Sequence, residues 1–147
     1  MPKKTLARIE VVAADVRPFT LRVRWAHGED SVIDVSELIG SFRIFAPLRA
    51  DPALFAAVRV GEYGTHVAWS EEIDMAATTL WRLAQEQSGA TMSADAFRRW
   101  REGRNFTQDA AARALGVSRR MLAYWEQGDR PVPRTVALAT RGLDLGA

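Results

Sequence analysis

Residues 107–126, TQDAAARALGVSRRMLAYWE, constrain the chain more than any other stretch. Their spacing predicts two short helices joined by a tight turn. Thr107 is placed to cap the first helix by accepting a backbone N–H. Asp109 then falls in a first turn, where the helix dipole favours a carboxylate. Ala111, Ala112 and Leu115 face inward, and Ala112 is small where the second helix must approach closely. Gly116 supplies the positive φ that a sharp helix end requires. Val117 plugs the corner, Ser118 caps the next helix, and Val117 and Leu122 have the spacing of a hydrophobic staple. Leu122 and Trp125, three apart, share the inner face. Arg119, Arg120, Ala123 and Tyr124 are left outside as a basic and aromatic face.

The flanks extend this unit to an all-α domain of four helices. Ser93 can cap a helix running from residue 94 to about 104, with Met92 and Phe97 at staple spacing. Asn105 ends that helix, being tolerant of the left-handed conformation. Trp100 lies beside the buried stripe, a position that suits interdomain or dimer contact rather than core filling. Gly128, Pro131 and Pro133 close the unit, and residues 134–141 form a further helix with Val136 and Leu138 inward. Gln87-Ser88-Gly89-Ala90-Thr91 is small and polar, so the domain boundary is placed there, giving domains 1–88 and 89–147.

The first domain has strand signals, and the chain as a whole reads as α+β. Residues 9–14 are apolar and β-branched. Residues 20–25, TLRVRW, alternate strictly, with Leu21, Val23 and Trp25 on one side and Arg22 and Arg24 on the other. Turn residues 27–30 then precede SVIDV, which makes a β-hairpin. Short helical turns are expected at 36–39 and at 52–56, the latter with Asp51 as cap and Pro52 at the first helical position. Residues 58–60 and 65–69 read as two more strands around a turn at 61–64. A helix from about Met75 to Gln87 should bury Ile73, Ala77, Leu80 and Ala84.

Charge is divided unevenly. Up to Ser88 there are ten Lys+Arg against twelve Asp+Glu; beyond it there are ten Arg against six. A basic domain following an acidic one points to an anionic partner for the former. The absence of cysteine excludes disulfides, thiol catalysis and thiolate metal sites, and fits a reducing compartment. The start, MPKKTLARIEVV, lacks the apolar run of a signal peptide, and no stretch approaches the roughly 18 apolar residues of a membrane span. These features together suggest a cytoplasmic protein without membrane contact.

Residues 97–138 resemble the DNA-binding domain of the phage lambda repressor and Cro family, the xenobiotic-response-element type. The matching residues are Arg101, Thr107-Gln108, Ala112, Gly116, Val117-Ser118, Leu122 and Glu126-Gln127-Gly128. Two features depart from the pattern. Asn105 stands where the family prefers Gly. The family has five helices and this chain ends soon after the fourth, so the dimer contact is missing or replaced.

The resemblance implies a sequence-specific transcriptional regulator, a repressor, that binds double-stranded DNA as a homodimer. A recognition helix at about 118–127 enters the major groove. Arg119, Arg120 and Tyr124 would read bases, since arginine can grip guanine O6 and N7 together. Gln108, Ser118, Arg130 and Arg134 would meet phosphates. Arg101 and Glu126 would form an internal ion pair tying the first helix of the domain to the end of the third.

The first domain resembles a widespread bacterial family of unknown function. The hairpin, the segment 48–55, and Trp69 followed by Ile73-Asp74 carry that likeness over residues 8–87. It implies a small α+β fold with Trp69 and Phe55 in the core. Members occur alone, beside small toxin-like genes, or fused to a helix-turn-helix. An alternative is therefore an antitoxin-like interaction module whose first domain binds a protein partner, with DNA binding as autoregulation.

Catalytic signals are lacking. His27 and His66 both lie in or beside turns. Glu71, Glu72 and Asp74 precede a helix, where the dipole already favours carboxylates. There is no phosphate-binding glycine loop and no nucleophile elbow. No enzyme activity, catalytic residue, metal or cofactor is expected.

Overall fold

The computed structural model describes residues 7–145, with the side chains of Asp144 and Leu145 left aside; the lysine-bearing start lies outside the described residues. The chain divides into two compact units between Ala84 and Gln85.

In the first unit, β1 (Ile9–Ala14), β2 (Thr20–Trp25) and β3 (Asp30–Asp34) form an antiparallel sheet in that order. The register pairs Val12 with Val23 and Leu21 with Ile33. The alternation of β2 has a direct structural result. Leu21, Val23 and Trp25 are buried, while Arg22 and Arg24 face out, Arg24 donating to Asp30 at 3.0 Å.

The chain then makes α1 (Ser36–Ser41), a 3-10 turn at Arg43–Phe45, α2 (Ala46–Ala50) and α3 (Pro52–Ala56). The Asp51 side chain caps α3 by accepting from the N–H groups of Ala53 and Leu54. The 3-10 turn and α2 were not expected; neither has a side-chain cap, and both are too short to carry a period.

A second antiparallel sheet follows, β4 (Arg59–Val60), β5 (His66–Ala68) and β6 (Asp74–Ala76), again in sequence order. Here the helix expected from Met75 is corrected. Met75 pairs with Val67, so 74–76 is strand, and α4 (Ala77–Gln87) begins only at Ala77. Sheet pairing outweighs the local helix-start signal of the preceding carboxylates. Ala77, Leu80 and Ala84 form the buried stripe of α4, whereas Ile73 is buried outside the helix.

In the core, Trp69 stacks on Phe55 at 5.9 Å between centroids, and its Nε1–H donates to the Phe55 carbonyl at 3.0 Å. Trp25 is fully buried, edge-on to Trp81, and donates to Ser31 Oγ. Gly64 has φ +70°, and a Cβ there would sit 2.5 Å from the Ile9 carbonyl oxygen. Only glycine satisfies both demands.

The second unit contains β7 (Thr91–Met92), α5 (Ala94–Gly103), α6 (Gln108–Leu115), α7 (Arg119–Gln127), β8 (Val132–Pro133) and α8 (Arg134–Leu145). β7 and β8 pair antiparallel, Met92 opposite Val132. This clasp had no signal in the sequence, because two-residue strands leave no alternation to read. The core gathers Phe97, Trp100, Ala111, Ala112, Leu122, Trp125, Val132 and Val136.

Two expectations are overturned here. Trp100 is only 9% exposed, stacked on Phe97 at 5.7 Å and edge-on to Phe106, so it fills the core rather than offering a contact surface. Leu138 is 48% exposed; the adjacent Val136 and Ala137, with Thr140 one turn beyond them, make the inner face of α8. Among the described residues, no helix is long and apolar enough to cross a membrane.

Candidate nucleic-acid interface

Three helices of the second unit, α5, α6 and α7, start on a side-chain cap. Ser93 Oγ accepts from Ala96 N–H, Thr107 Oγ1 from Ala110 and Ser118 Oγ from Met121, all at 3.1 Å. α6 and α7 end on left-handed glycines, Gly116 (φ 72°) and Gly128 (φ 79°). At the first, Val117 N–H returns to the Ala112 carbonyl at 3.0 Å, which closes the turn and starts α7 on a new heading. After α5, Asn105 takes φ 57°, a left-handed conformation that asparagine tolerates.

The C-terminal end of α7 is tied down from α5. Arg101 grips the Glu126 carboxylate with two N–H groups, Nε to Oε2 at 2.5 Å and Nη2 to Oε1 at 3.0 Å. Its Nη1 donates to the Phe106 carbonyl at 2.9 Å. Glu126 is buried and Arg101 half-buried, 6% and 16% exposed, and the hydrogen bond to Glu126, opposed by burial, raises the Arg101 pKa above its ordinary value. Arg98 adds a bond from Nη2 to the Glu126 backbone carbonyl at 2.6 Å. Sequence reasoning missed Arg98. Its spacing three residues before Arg101 on a helix puts it on the same face and was the available signal.

The N-terminal half of α7 is open. Arg119 and Arg120 are exposed on its first turn. Arg119 lies 3.7 Å from Asp109 of α6, an exposed ion pair of little energetic weight. Arg120 donates from Nε to the Tyr124 hydroxyl at 2.8 Å. Arg130, from the loop after α7, sits over the opposite partner of that arrangement, its guanidinium carbon 4.8 Å from the Tyr124 ring centroid. The fold therefore brings Arg120, Tyr124 and Arg130 together.

The remaining residues proposed from sequence are dispersed around this ledge. Ser118 is exposed, and since its Oγ accepts the Met121 N–H, its own proton is left for an outside acceptor. Gln108 is half-buried at the first position of α6, and its amide is directed inward to Glu126 Oε1 at 3.5 Å. Arg134 is exposed and opens α8.

The geometry amounts to a helix fixed at one end, with its other end presenting cations and polar hydrogens. That combination can engage an anionic, hydrogen-bonding surface. In the first unit, His27 lies against Glu29 at 3.1 Å and His66 against Thr65 Oγ1 at 3.0 Å. Among the described residues no group of three or more His, Cys, Asp or Glu is disposed to hold a metal ion.

Comparison with known proteins bears on both units. A family model for a protein of unknown function, DUF2442, matches residues 9–86, and a model for a helix-turn-helix domain matches residues 94–146. No curated protein matches the chain. Among solved structures, the crystal structure of NE0471 from Nitrosomonas europaea ATCC 19718, described as a candidate DNA-binding protein, is similar to it. The two share 31% sequence identity with a TM-score of 0.56, over 98% of this chain and 90% of that one.

Proposed function

The chain belongs to the DUF2442 family, proteins of unknown function, and carries a helix-turn-helix domain after it; on that premise we propose that it is a sequence-specific DNA-binding transcriptional regulator, acting as a repressor and as a homodimer. The observation that carries the reading is the asymmetry of α7. Two arginines of α5 lock its C-terminal end, while Arg119 and Arg120 stand exposed at its N-terminal end. An element that must read base edges needs this combination of a rigid mount and an exposed tip.

In this reading Arg119 and Arg120 meet base edges in the major groove, and Ser118, Arg130 and Arg134 meet phosphates. Gln108 can serve a phosphate with the amide proton that Glu126 does not take. Residues 1–88 would act as a separate domain that holds a protein contact or assists pairing, and 89–147 as the DNA-binding domain. The two arginines placed on phosphates, doubled in a dimer, neutralise about 4 phosphates and give a log K against log salt slope of about −4.

Selection of bound duplexes from a random library tests this, with the Arg119→Ala/Arg120→Ala variant as control. Enrichment of one motif by the wild-type protein alone is expected. Equal enrichment by the control would refute the assignment of α7 as reader. Against the selected motif, Arg120→Ala should relax specificity and Arg134→Ala should weaken all sequences alike.

A further inference from the structure

Tyr124 occupies a position on α7 that invites the role of base reader, but its surroundings argue otherwise. The ring is half-buried and engaged by two cations. Arg120, one turn earlier, donates to the phenolic oxygen at 2.8 Å, and its guanidinium carbon lies 5.6 Å from the ring centroid. Arg130 lies 4.8 Å from the same centroid. The loop is folded back onto this residue through the main chain as well, since the Asp129 and Arg130 N–H groups both donate to the Tyr124 carbonyl, at 3.0 and 3.4 Å. Gly128, left-handed, makes that reversal.

The physical consequence follows from the nature of arginine. Its long side chain is free to wander at a surface, and ordering it on binding costs affinity. Two guanidinium groups brought near each other also repel. A tyrosine answers both difficulties with two separable handles, an oxygen that fixes one arginine by direction and a π face that attracts the other. Surface contacts of this strength correspond to about two- to five-fold in an equilibrium constant.

We propose that Tyr124 is a positioning residue: its hydroxyl sets the direction of Arg120 and its ring holds Arg130 and the loop beneath, so that the two arginines meet DNA as one preformed unit. This rests on the DNA-binding reading above and deepens it. It takes Tyr124 out of the set that touches bases and makes the loop arginine part of the same device as the helix arginine.

The test uses the full chain and the DNA motif it selects, with Tyr124→Phe, Tyr124→Leu, Arg120→Ala and Arg130→Ala. Tyr124→Phe removes only the hydroxyl. It should lower the ratio of cognate to scrambled affinity by about two- to ten-fold, the worth of one hydrogen bond, and leave the salt slope unchanged. In an Arg120→Ala background the same change should cost nothing further. Tyr124→Leu should in addition weaken every sequence and flatten the salt slope, as Arg130→Ala does.

A DNA-free readout accompanies these. The Arg130 side-chain protons should be shifted upfield by the Tyr124 ring in the wild type and in Tyr124→Phe, but not in Tyr124→Leu. Additive losses for Tyr124→Phe and Arg120→Ala would mean that the hydroxyl touches DNA itself, and would overturn the proposal while leaving DNA binding intact. Absence of the ring-current shift in the wild type would overturn it without reference to DNA. A wild-type protein that selects no motif while keeping that shift would sink the DNA-binding reading, and the role of the clamp with it.

Discussion

Glu126→Gln is the perturbation with the most to say about how the helix-turn-helix is held. Gln keeps the shape and one acceptor oxygen, but it removes the charge that the Arg101 guanidinium grips and leaves it only the weaker attraction of Glu102. Arg101 is 16% exposed and makes two bonds to the carboxylate at 2.5 and 3.0 Å. Removing one partner of a buried pair costs about 3–5 kcal/mol, because the survivor is stranded. The lower figure is expected, since Arg101 keeps its bond to the Phe106 carbonyl and Gln still accepts one N–H.

For a domain of about 60 residues, about 3 kcal/mol lowers the thermal midpoint by roughly 12–24 °C. Because the two units need not unfold together, the measurement should be local: native-state amide exchange at Leu122 and Trp125, both on α7 and buried. Loss of about 3 kcal/mol of opening free energy at both is expected. The paired replacement Arg101→Met/Glu126→Leu should recover most of it, because no charge is then stranded. An exchange free energy for Glu126→Gln within about 1 kcal/mol of wild type would refute the reasoning, as it lies below the range set by a stranded buried charge.

Three further outcomes follow from the geometry. Ser118→Ala removes the acceptor for the Met121 N–H and should destabilise α7 by about 1 kcal/mol, read in the same exchange experiment. Gly116→Ala should cost about 1–2 kcal/mol from the positive φ alone, since a Cβ there meets nothing within 4 Å; Gly64→Ala should be far worse, because its Cβ also meets the Ile9 carbonyl oxygen at 2.5 Å. Thermal melts that rank these two glycine variants the other way would contradict the packing described. Finally, Asp15, Asp30 and Asp34 have pKa values below the ordinary carboxylate range, through side-chain hydrogen bonds from Arg17, Arg24 and Ser36 respectively. A carboxylate depressed in the folded state stabilises above its unfolded pKa and loses that contribution as pH falls through the folded one. The first unit should therefore weaken below about pH 4, which NMR titration of the three carboxyl groups during acid unfolding would check.

The sequence made legible those parts of the fold in which one residue type has one physical use. Ser93, Thr107 and Ser118 declared three helix starts, Gly116 a helix end, and the alternation of Leu21, Val23 and Trp25 a half-buried strand. It failed where long-range pairing decides. Nothing local to Thr91-Met92 or Val132-Pro133 announces a strand, since each is defined only by the other. Met75 carried a helix-start signal from its carboxylate neighbours and yielded to Val67 across a sheet.

Trp100 and Leu138 failed for a different reason. Helical spacing gives relative directions but not the width of the inner face, and that width depends on what the neighbouring helices bring. At the candidate site, Arg119, Arg120 and Tyr124 are recognisable from helical spacing as an outward-facing group, although the Tyr124 ring is half-buried. That Arg130 shares a ring with Arg120 is not, because Gly128 turns the loop back by a route that spacing along a helix does not describe.

The small pairing of β7 with β8 has a bearing on how such a domain can be reused. Met92 and Val132 lie side by side, so the three helices between them leave and rejoin the scaffold at one place. A segment whose two ends adjoin can be exchanged as a cartridge without re-routing the chain, as inserted domains are. The requirement on a replacement is set by the core: its inner face must accept Met92, Val132, Val136 and Leu143, which complete the core from outside the cartridge. Under that condition the surface of α7 offered to a partner can be rewritten while the clasp and α8, with Arg134, stay as they are.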